Sequence, residues 1–377
     1  MKIRVERDVL AEAVTWVARG LPNRPPVPVL AGVLITADEA GTLTLSAFDY
    51  ETSARIIVPA DVSEPGTVLV LGRLLADISR NLPMRPIEIT TEGNKVQLTC
   101  GSSRFSLLQM PSDEYPSLPI SPDPSGSVAG NLFTQAVAQV SIAADKSDTL
   151  PILTGVRVEI EGSKMTLLAT DRYRLAMREL DWNPRDPEAA GVLLVPARTL
   201  SETAKSLGAA ASVEIAFGEA AGGDGLIGFE AGQRRTTSRL LDGEYPKVSS
   251  IFPSSAETEA VVETSALVEA VKRVSLVAER NTPVRLRFAE GQLSIDAGTG
   301  DDAQASEAIE CSLSGEDFEI AFNPHYLLDG LHAIGTDHAR LAFTQSNKPA
   351  VLSGQSSADG EADSSYRYVL MPVRFAG

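Results

Sequence analysis

The chain has 377 residues, 43% of them apolar and 22% charged, and a formal net charge of −17. That length exceeds one ordinary core of about 100–200 residues, so two or three domains are expected. The acidic balance argues against a surface that coats nucleic acid by bulk attraction, and no apolar run approaches the roughly 18 residues that span a bilayer.

The opening Met1-Lys2-Ile3-Arg4-Val5-Glu6-Arg7 alternates charged and apolar residues. This predicts a first strand rather than the apolar core of a signal peptide, and a cytoplasmic location. A helix pattern follows from Val9 to Val17, with apolar residues at three- and four-residue spacing. The same pattern returns at Leu132–Val140 and at Ala266–Val274, with Asn131, Thr264 and Ser265 as expected N-caps. After each helix comes a proline and a strand: Pro28 before Val33-Leu34-Ile35, Pro151 before Val156-Arg157-Val158, and Pro283 before Leu286-Arg287-Phe288. Second strands follow at Thr42–Phe48, Lys164–Thr170 and Gln292–Ala297, the period-two signal of a hairpin.

Each copy then carries a second helix, predicted from Gly72 to Leu82, Pro196 to Leu207 and Asn323 to Ile334. Pro196 and Pro324 sit where a helix accepts proline, near its first turn. The first two copies end alike, in Glu114-Tyr115-Pro116 and Glu244-Tyr245-Pro246, and the third ends in Tyr368-Val369-Leu370-Met371. Linkers rich in Pro and Ser at Pro119–Gly126 and Pro253–Glu259 place the domains at 1–125, 126–254 and 255–377. Two helices with strands in each copy make an α+β layer arrangement repeated three times.

Motifs for chemistry are scarce. Gly223-Asp224-Gly225-Leu226-Ile227-Gly228 matches the dinucleotide fingerprint in letters. Strand-like residues flank it on both sides, without the following helix that must face a pyrophosphate, so it reads as a hairpin loop. His325, His332 and His338 lack a cysteine or a His-Glu-x-x-His pattern and read as structural. Asp301 and Asp302 lack acidic partners at ligand spacing and read as a solvated turn. Cys100 and Cys311, the only cysteines, read as separate buried thiols. No phosphate loop and no nucleophile elbow is present. The expectation is a binding protein without catalytic residues, metal or cofactor.

Three stretches carry a resemblance: Ala169-Thr170-Asp171-Arg172-Tyr173-Arg174-Leu175-Ala176, Ser238–Pro246, and Tyr368 through Phe375. Val5-Glu6-Arg7, and Arg24-Pro25 before Pro28-Val29-Leu30, fit as well. Taken in order within a triplicated chain, they resemble the bacterial DNA polymerase sliding clamps, the β subunit of the replicative polymerase. The resemblance implies three clamp domains, each with two helices packed on antiparallel sheets, joined head to tail as a homodimeric ring around duplex DNA. It implies a non-catalytic processivity factor that tethers the replicative polymerase, the clamp loader and repair proteins through short linear peptides. A ring holds DNA by topology, so weak, sequence-independent phosphate contacts suffice. The cations expected to face DNA are Arg24, Arg73, Arg80, Arg198, Lys205, Lys272 and Arg273.

The peptide pocket of similar proteins lies between the second and third domains. The matching positions are Leu153, Thr170, Arg172, Tyr173, Arg174, Leu175, Pro246, Ile251, Pro349, Val369 and Met371. Leu153, Leu175, Val369 and Met371 suit the anchors of a peptide, and Arg174 is expected to hold a peptide carbonyl or carboxamide. Many relatives have Gly where this chain has Arg172, which puts peptide preference in question. Two other readings compete. One is a duplicate clamp specialised for repair or inhibitor resistance. The other is a nucleic-acid enzyme, which would need clustered carboxylates for metal ions.

Overall fold

A computed structural model describes residues 1–147, 149–218, 225–248, 251–252, 255–278, 282–298 and 303–374. Gly223, Asp224, Pro253, Gly300, Asp301, Asp302 and Phe375 lie outside the described residues. The chain divides into two compact units. The first is Met1–Phe133, Trp182–Ala189 and Glu202–Leu240, and the second is Thr134–Asp181, Ala190–Ser201 and Leu241–Gly377. Among the described residues there are six α-helices: α1 (Arg7–Ala18), α2 (Gly72–Asn81), α3 (Gly130–Ser141), α4 (Ala197–Leu207), α5 (Thr264–Val274) and α6 (Pro324–Ile334). They match the six helices expected from the sequence.

In the first unit, α1 buries Leu10, Ala13, Val14 and Val17 completely. This is the one-faced stripe its spacing predicts, and each large apolar side chain so buried contributes about 1.5–3 kcal/mol. α2 begins at Gly72, where a Cβ would lie 2.5 Å from methyls of both Leu21 and Val33, so a larger residue would force these side chains to shift. The strands form two sheets, and every pairing is antiparallel. One sheet is ordered Asp61–Glu64, Lys2–Val5, Ile87–Glu92, Lys95–Cys100, Ser103–Leu108. The other has nine strands, and in it Arg234–Arg239 of the middle repeat pairs with Thr52–Pro59 of the first, Ser238 opposite Thr52 and Thr237 opposite Ser53.

In the second unit a sheet of twelve strands carries the corresponding seam. Arg174–Asp181 pairs antiparallel with Tyr366–Leu370, placing Arg174 opposite Leu370 and Leu175 opposite Val369. α6 starts at the cap Asn323, whose side chain accepts from the amides of His325 and Tyr326 at 2.9 and 3.3 Å. It stops at Gly335 in the left-handed conformation (φ 69°).

The expected N-caps need correction. α3 already includes Asn131, and α5 starts at Thr264, with Glu263 in the cap position and no side-chain cap bond. Ser265 instead donates to Glu263 at 2.5 Å. The prolines of the first two copies open short 3-10 turns, Pro28–Ala31 and Pro151–Thr154, before their strands. The letters Gly225–Gly228 of the fingerprint run into strand Leu226–Ala231, as a hairpin requires. Both cysteines are free and buried, and burial pushes the Cys311 thiol up to about 11.

Candidate functional site

The site is built around the turn that joins strands Lys164–Thr170 and Arg174–Asp181 in the second unit. Asp171 Oδ1 accepts from the amides of Tyr173 and Arg174, each at 3.0 Å. Thr170 Oγ1 donates to the Arg174 carbonyl at 2.6 Å and accepts from the Arg172 amide at 3.1 Å. Side chains of Asp and Thr that bond their own backbone in this way specify a tight turn. Arg172 is left at φ 78°, in the left-handed region, which disfavours a side chain by about 1–2 kcal/mol. Arg172 and Tyr173 are exposed, and the Arg172 guanidinium lies 5.9 Å from the Tyr173 ring.

Arg174 points inward and is only 5% exposed. Its Nε donates to Asp171 Oδ2 at 2.9 Å and its Nη1 to Asp329 Oδ2 at 2.6 Å, and it lies 4.3 Å from the centre of the Tyr326 ring. Burial alone would weaken its charge, but Tyr368, Asp329 and Asp171 outweigh that and hold the proton more firmly than usual. Nε and Nη1 are thus engaged inside the protein by Asp171 and Asp329. The guanidinium stiffens the turn from behind.

In front of the turn, Leu153, Leu168, Leu175, Met177, Leu194, Tyr245, Val248 and Val369 form one apolar cluster. Ile152, Leu241, Ile251, Phe252 and Val351 pack at its partly buried edge. The Tyr245 hydroxyl accepts from the Thr170 amide at 2.9 Å, which ties the cluster to the turn, and burial raises that phenol well above its ordinary value. Met371 donates its amide to the Tyr173 carbonyl at 2.9 Å and is 39% exposed, so an apolar side chain stands at the margin. Pro246 follows Tyr245 and is exposed; Pro349, half-buried, precedes Ala350, which pairs with Leu370.

Of the eleven residues named from sequence, Leu153, Leu175, Val369 and Ile251 meet in the cluster, while Thr170, Arg172, Tyr173 and Arg174 make the turn. Sequence reasoning missed Met177, Val248 and Phe252, which nothing local distinguishes from core. Tyr245 was within reach, because its Glu-Tyr-Pro signature repeats at Tyr115. Asp329 and Tyr326 reach the site from α6, and no linear pattern joins them to Arg174.

The basic residues are all exposed, and several are occupied locally. Arg73 donates to the Leu21 carbonyl at 3.2 Å and to Asn23 at 2.6 Å. Arg80 pairs with Asp77, Lys272 with Glu269 at 3.0 Å, and Arg273 with Glu307 at 2.5 Å. In the first unit, Arg80 and Lys205 share a cleft of about 510 Å³ with Arg7, Arg19 and Arg234, three cations outside the set expected to face DNA. Two acids, Asp8 and Glu12, line it as well, so the cleft is locally basic within an acidic chain. Arg24 lies in the exposed segment after α1, and Arg198 in the first turn of α4. Among the described residues, no three His, Cys, Asp or Glu side chains are grouped to hold a metal ion. None of the helices is long and apolar enough to cross a membrane.

Three family models match the chain in succession. They describe the N-terminal domain of the DNA polymerase III beta subunit at residues 1–119, its central domain at 127–247 and its C-terminal domain at 249–374. The beta sliding clamp of Streptomyces coelicolor is 58% identical over 377 residues, covering 100% of both chains. The beta sliding clamp homolog GriR of Streptomyces muensis is 50% identical over 375 residues, again covering 100% of both. The crystal structure of the DNA polymerase sliding clamp from Bacillus subtilis superposes with a TM-score of 0.91 at 28% identity, covering 100% of both chains. The chain belongs to the DNA polymerase III beta subunit family, the beta sliding clamps, and its function is that of a non-catalytic processivity factor in DNA replication.

Proposed function

We propose that the chain works as a head-to-tail homodimer that closes into a ring around duplex DNA, in the cytoplasm, with domains at 1–125, 126–254 and 255–377. The first domain of one copy then meets the third of the other, an arrangement that also hides sheet edges. Arg24, Arg73, Arg80, Arg198, Lys205, Lys272 and Arg273 face the duplex in this reading. The local ion pairs of Arg80, Lys272 and Arg273 suit it, because a cation shared with a neighbouring acid grips phosphate weakly and a ring must slide.

The apolar cluster around Leu175 and Val369 is the proposed seat for linear peptides of the polymerase, the clamp loader and repair proteins. The observation that carries this reading is the meeting of Leu153, Leu175, Val369 and Ile251 in one half-open cluster, flanked by the exposed Tyr173 and Met371. Such a surface offers a few large anchors with a polar rim, the arrangement that concentrates binding energy.

The test combines mass and topology. Light scattering should give twice the chain mass. After loading by a cognate loader, the protein should stay on nicked circular plasmid and leave linearised plasmid. A stable monomer, or equal retention on both forms, would refute the ring.

A further inference from the structure

Arg172 is the one exposed cation in the turn that frames the apolar cluster, and no ion pair engages it among the described residues. The other arginine of the turn, Arg174, is buried against Asp171 and Asp329. Arg367, which stacks on Phe252 at 4.6 Å at the cluster's edge, has Glu179 at 3.5 Å. Asp145 is close enough to feel the Arg172 charge, but its Oδ1 already accepts from the Ser147 amide at 2.8 Å. The Arg172 backbone is fixed from both sides. Its amide is bound by Thr170 Oγ1, and the neighbouring Thr170 amide by Tyr245 of the cluster. The Tyr173 carbonyl is held by Met371. A charge on so constrained a backbone, beside an apolar seat, with the Tyr173 ring at 5.9 Å and no carboxylate paired to it among the described residues, is an offered group rather than a used one.

We infer that Arg172 sets the specificity of this seat, favouring linear peptides that carry a carboxylate beside their apolar anchors. The inference rests on the peptide-seat reading above and adds to it the class of residue preferred. An Asp or Glu side chain and a peptide C-terminus both supply that carboxylate, since a guanidinium binds either through the same charge-assisted hydrogen bonds. Because Arg172 is solvated, the preference is modest and screened by salt.

The probes are three fluorescein-labelled peptides: Ala-Leu-Ala-Leu-Phe-Ala amide, Ala-Leu-Asp-Leu-Phe-Ala amide, and Ala-Leu-Ala-Leu-Phe as the free acid. Fluorescence anisotropy against the whole protein should show either or both acidic peptides binding about three- to fivefold tighter than the neutral amide at low salt, with the gap closing at high salt. The side-chain and terminal arms tell the two carboxylate sources apart. In Arg172→Gln the gap between acidic and neutral peptides should vanish, and in Arg172→Lys most of it should return. Arg172→Gly removes the charge and relaxes the turn, so it should behave as Arg172→Gln. Equal binding of all three peptides by the unsubstituted protein, or a gap that survives in Arg172→Gln, overturns the role of Arg172 and leaves the seat standing. Neutral binding that is undiminished in Val369→Asp, or no binding of any peptide, overturns the seat itself.

Discussion

The turn Asp171–Arg174 has a counterpart in the first repeat, Asp49–Thr52, and the two can be compared atom by atom. Asp49 Oδ1 accepts from the amides of Glu51 and Thr52 at 3.0 and 2.6 Å, as Asp171 Oδ1 does from Tyr173 and Arg174. The second residue is left-handed in both, Tyr50 at φ 75° and Arg172 at φ 78°. Each turn adjoins an apolar cluster with a leucine from a 3-10 turn, Leu30 or Leu153, and a tyrosine from a Glu-Tyr-Pro segment, Tyr115 or Tyr245. The backbones agree and the fillings differ. Where the second unit sets Leu175 opposite Val369, the first sets Ser53 opposite Thr237, their hydroxyls 2.6 Å apart and buried. Where the second buries Arg174, the first has Thr52. Repetition supplies the frame, and a few side chains at the seam decide whether the frame offers an apolar floor or a closed polar one.

Replacing the two aspartates should separate the turns most widely. Asp171→Ala removes the acceptor of two amides and one of the two carboxylates that bond the buried Arg174, leaving Asp329 alone, a loss of about 3–5 kcal/mol. Asp49→Ala removes acceptors only, for about 1–2 kcal/mol. Urea denaturation checks both, and equal losses would mean that the buried arginine adds nothing. At the seam of the first unit, Thr237→Val leaves the Ser53 hydroxyl buried without a partner and should cost about 1–3 kcal/mol. Adding Ser53→Ala should recover most of it, so a double-mutant cycle reads the pair directly.

The tyrosines give a finer contrast. The Tyr115 hydroxyl lies toward the Phe48 amide without reaching hydrogen-bond geometry, whereas Tyr245 accepts from Thr170. Tyr245→Phe should therefore cost about 1 kcal/mol and Tyr115→Phe almost nothing at neutral pH. Burial pushes the Tyr115 phenol up to about 12, above its ordinary 10. Its contribution is thus full below pH 10 and lost as pH rises toward 12, and Tyr115→Phe should flatten that part of the stability profile. The smallest effect concerns the left-handed residues. Arg172→Gly should stabilise by about 1 kcal/mol, because glycine adopts that conformation freely. Tyr50→Gly should gain less, since Tyr50 also meets Phe48 edge-on at 5.6 Å. Thermal melts rank the two.

Much of this frame was legible in the chain. Periodicity located the first helix of each copy, the repeated order and the helix starts located the second, and Thr42–Phe48 and Lys164–Thr170 came out to the residue because they alternate. The caps were misplaced because Asn131, Thr264 and Ser265 sit inside first turns whose starts are set by preceding strands. The site was legible only in part, and for a physical reason. Nothing local to Arg174 shows that Asp329 and Tyr326 are brought to it from α6. The Ser53–Thr237 pair spans 184 positions and has no local mark at all.

The seam in the second unit has a consequence for the order of events during synthesis. Tyr366–Leu370 is an interior strand of its sheet, held between Arg174–Asp181 and Ala350–Gln355. Arg174–Asp181 therefore leaves the ribosome long before the strand that covers it, and it waits as an open edge while the intervening chain is made. At about 5–20 residues per second that wait lasts on the order of ten seconds or more. An uncovered edge is a template for other chains. The charged residues Arg178, Glu179 and Asp181 along this strand are well placed to keep it solitary until its partner arrives.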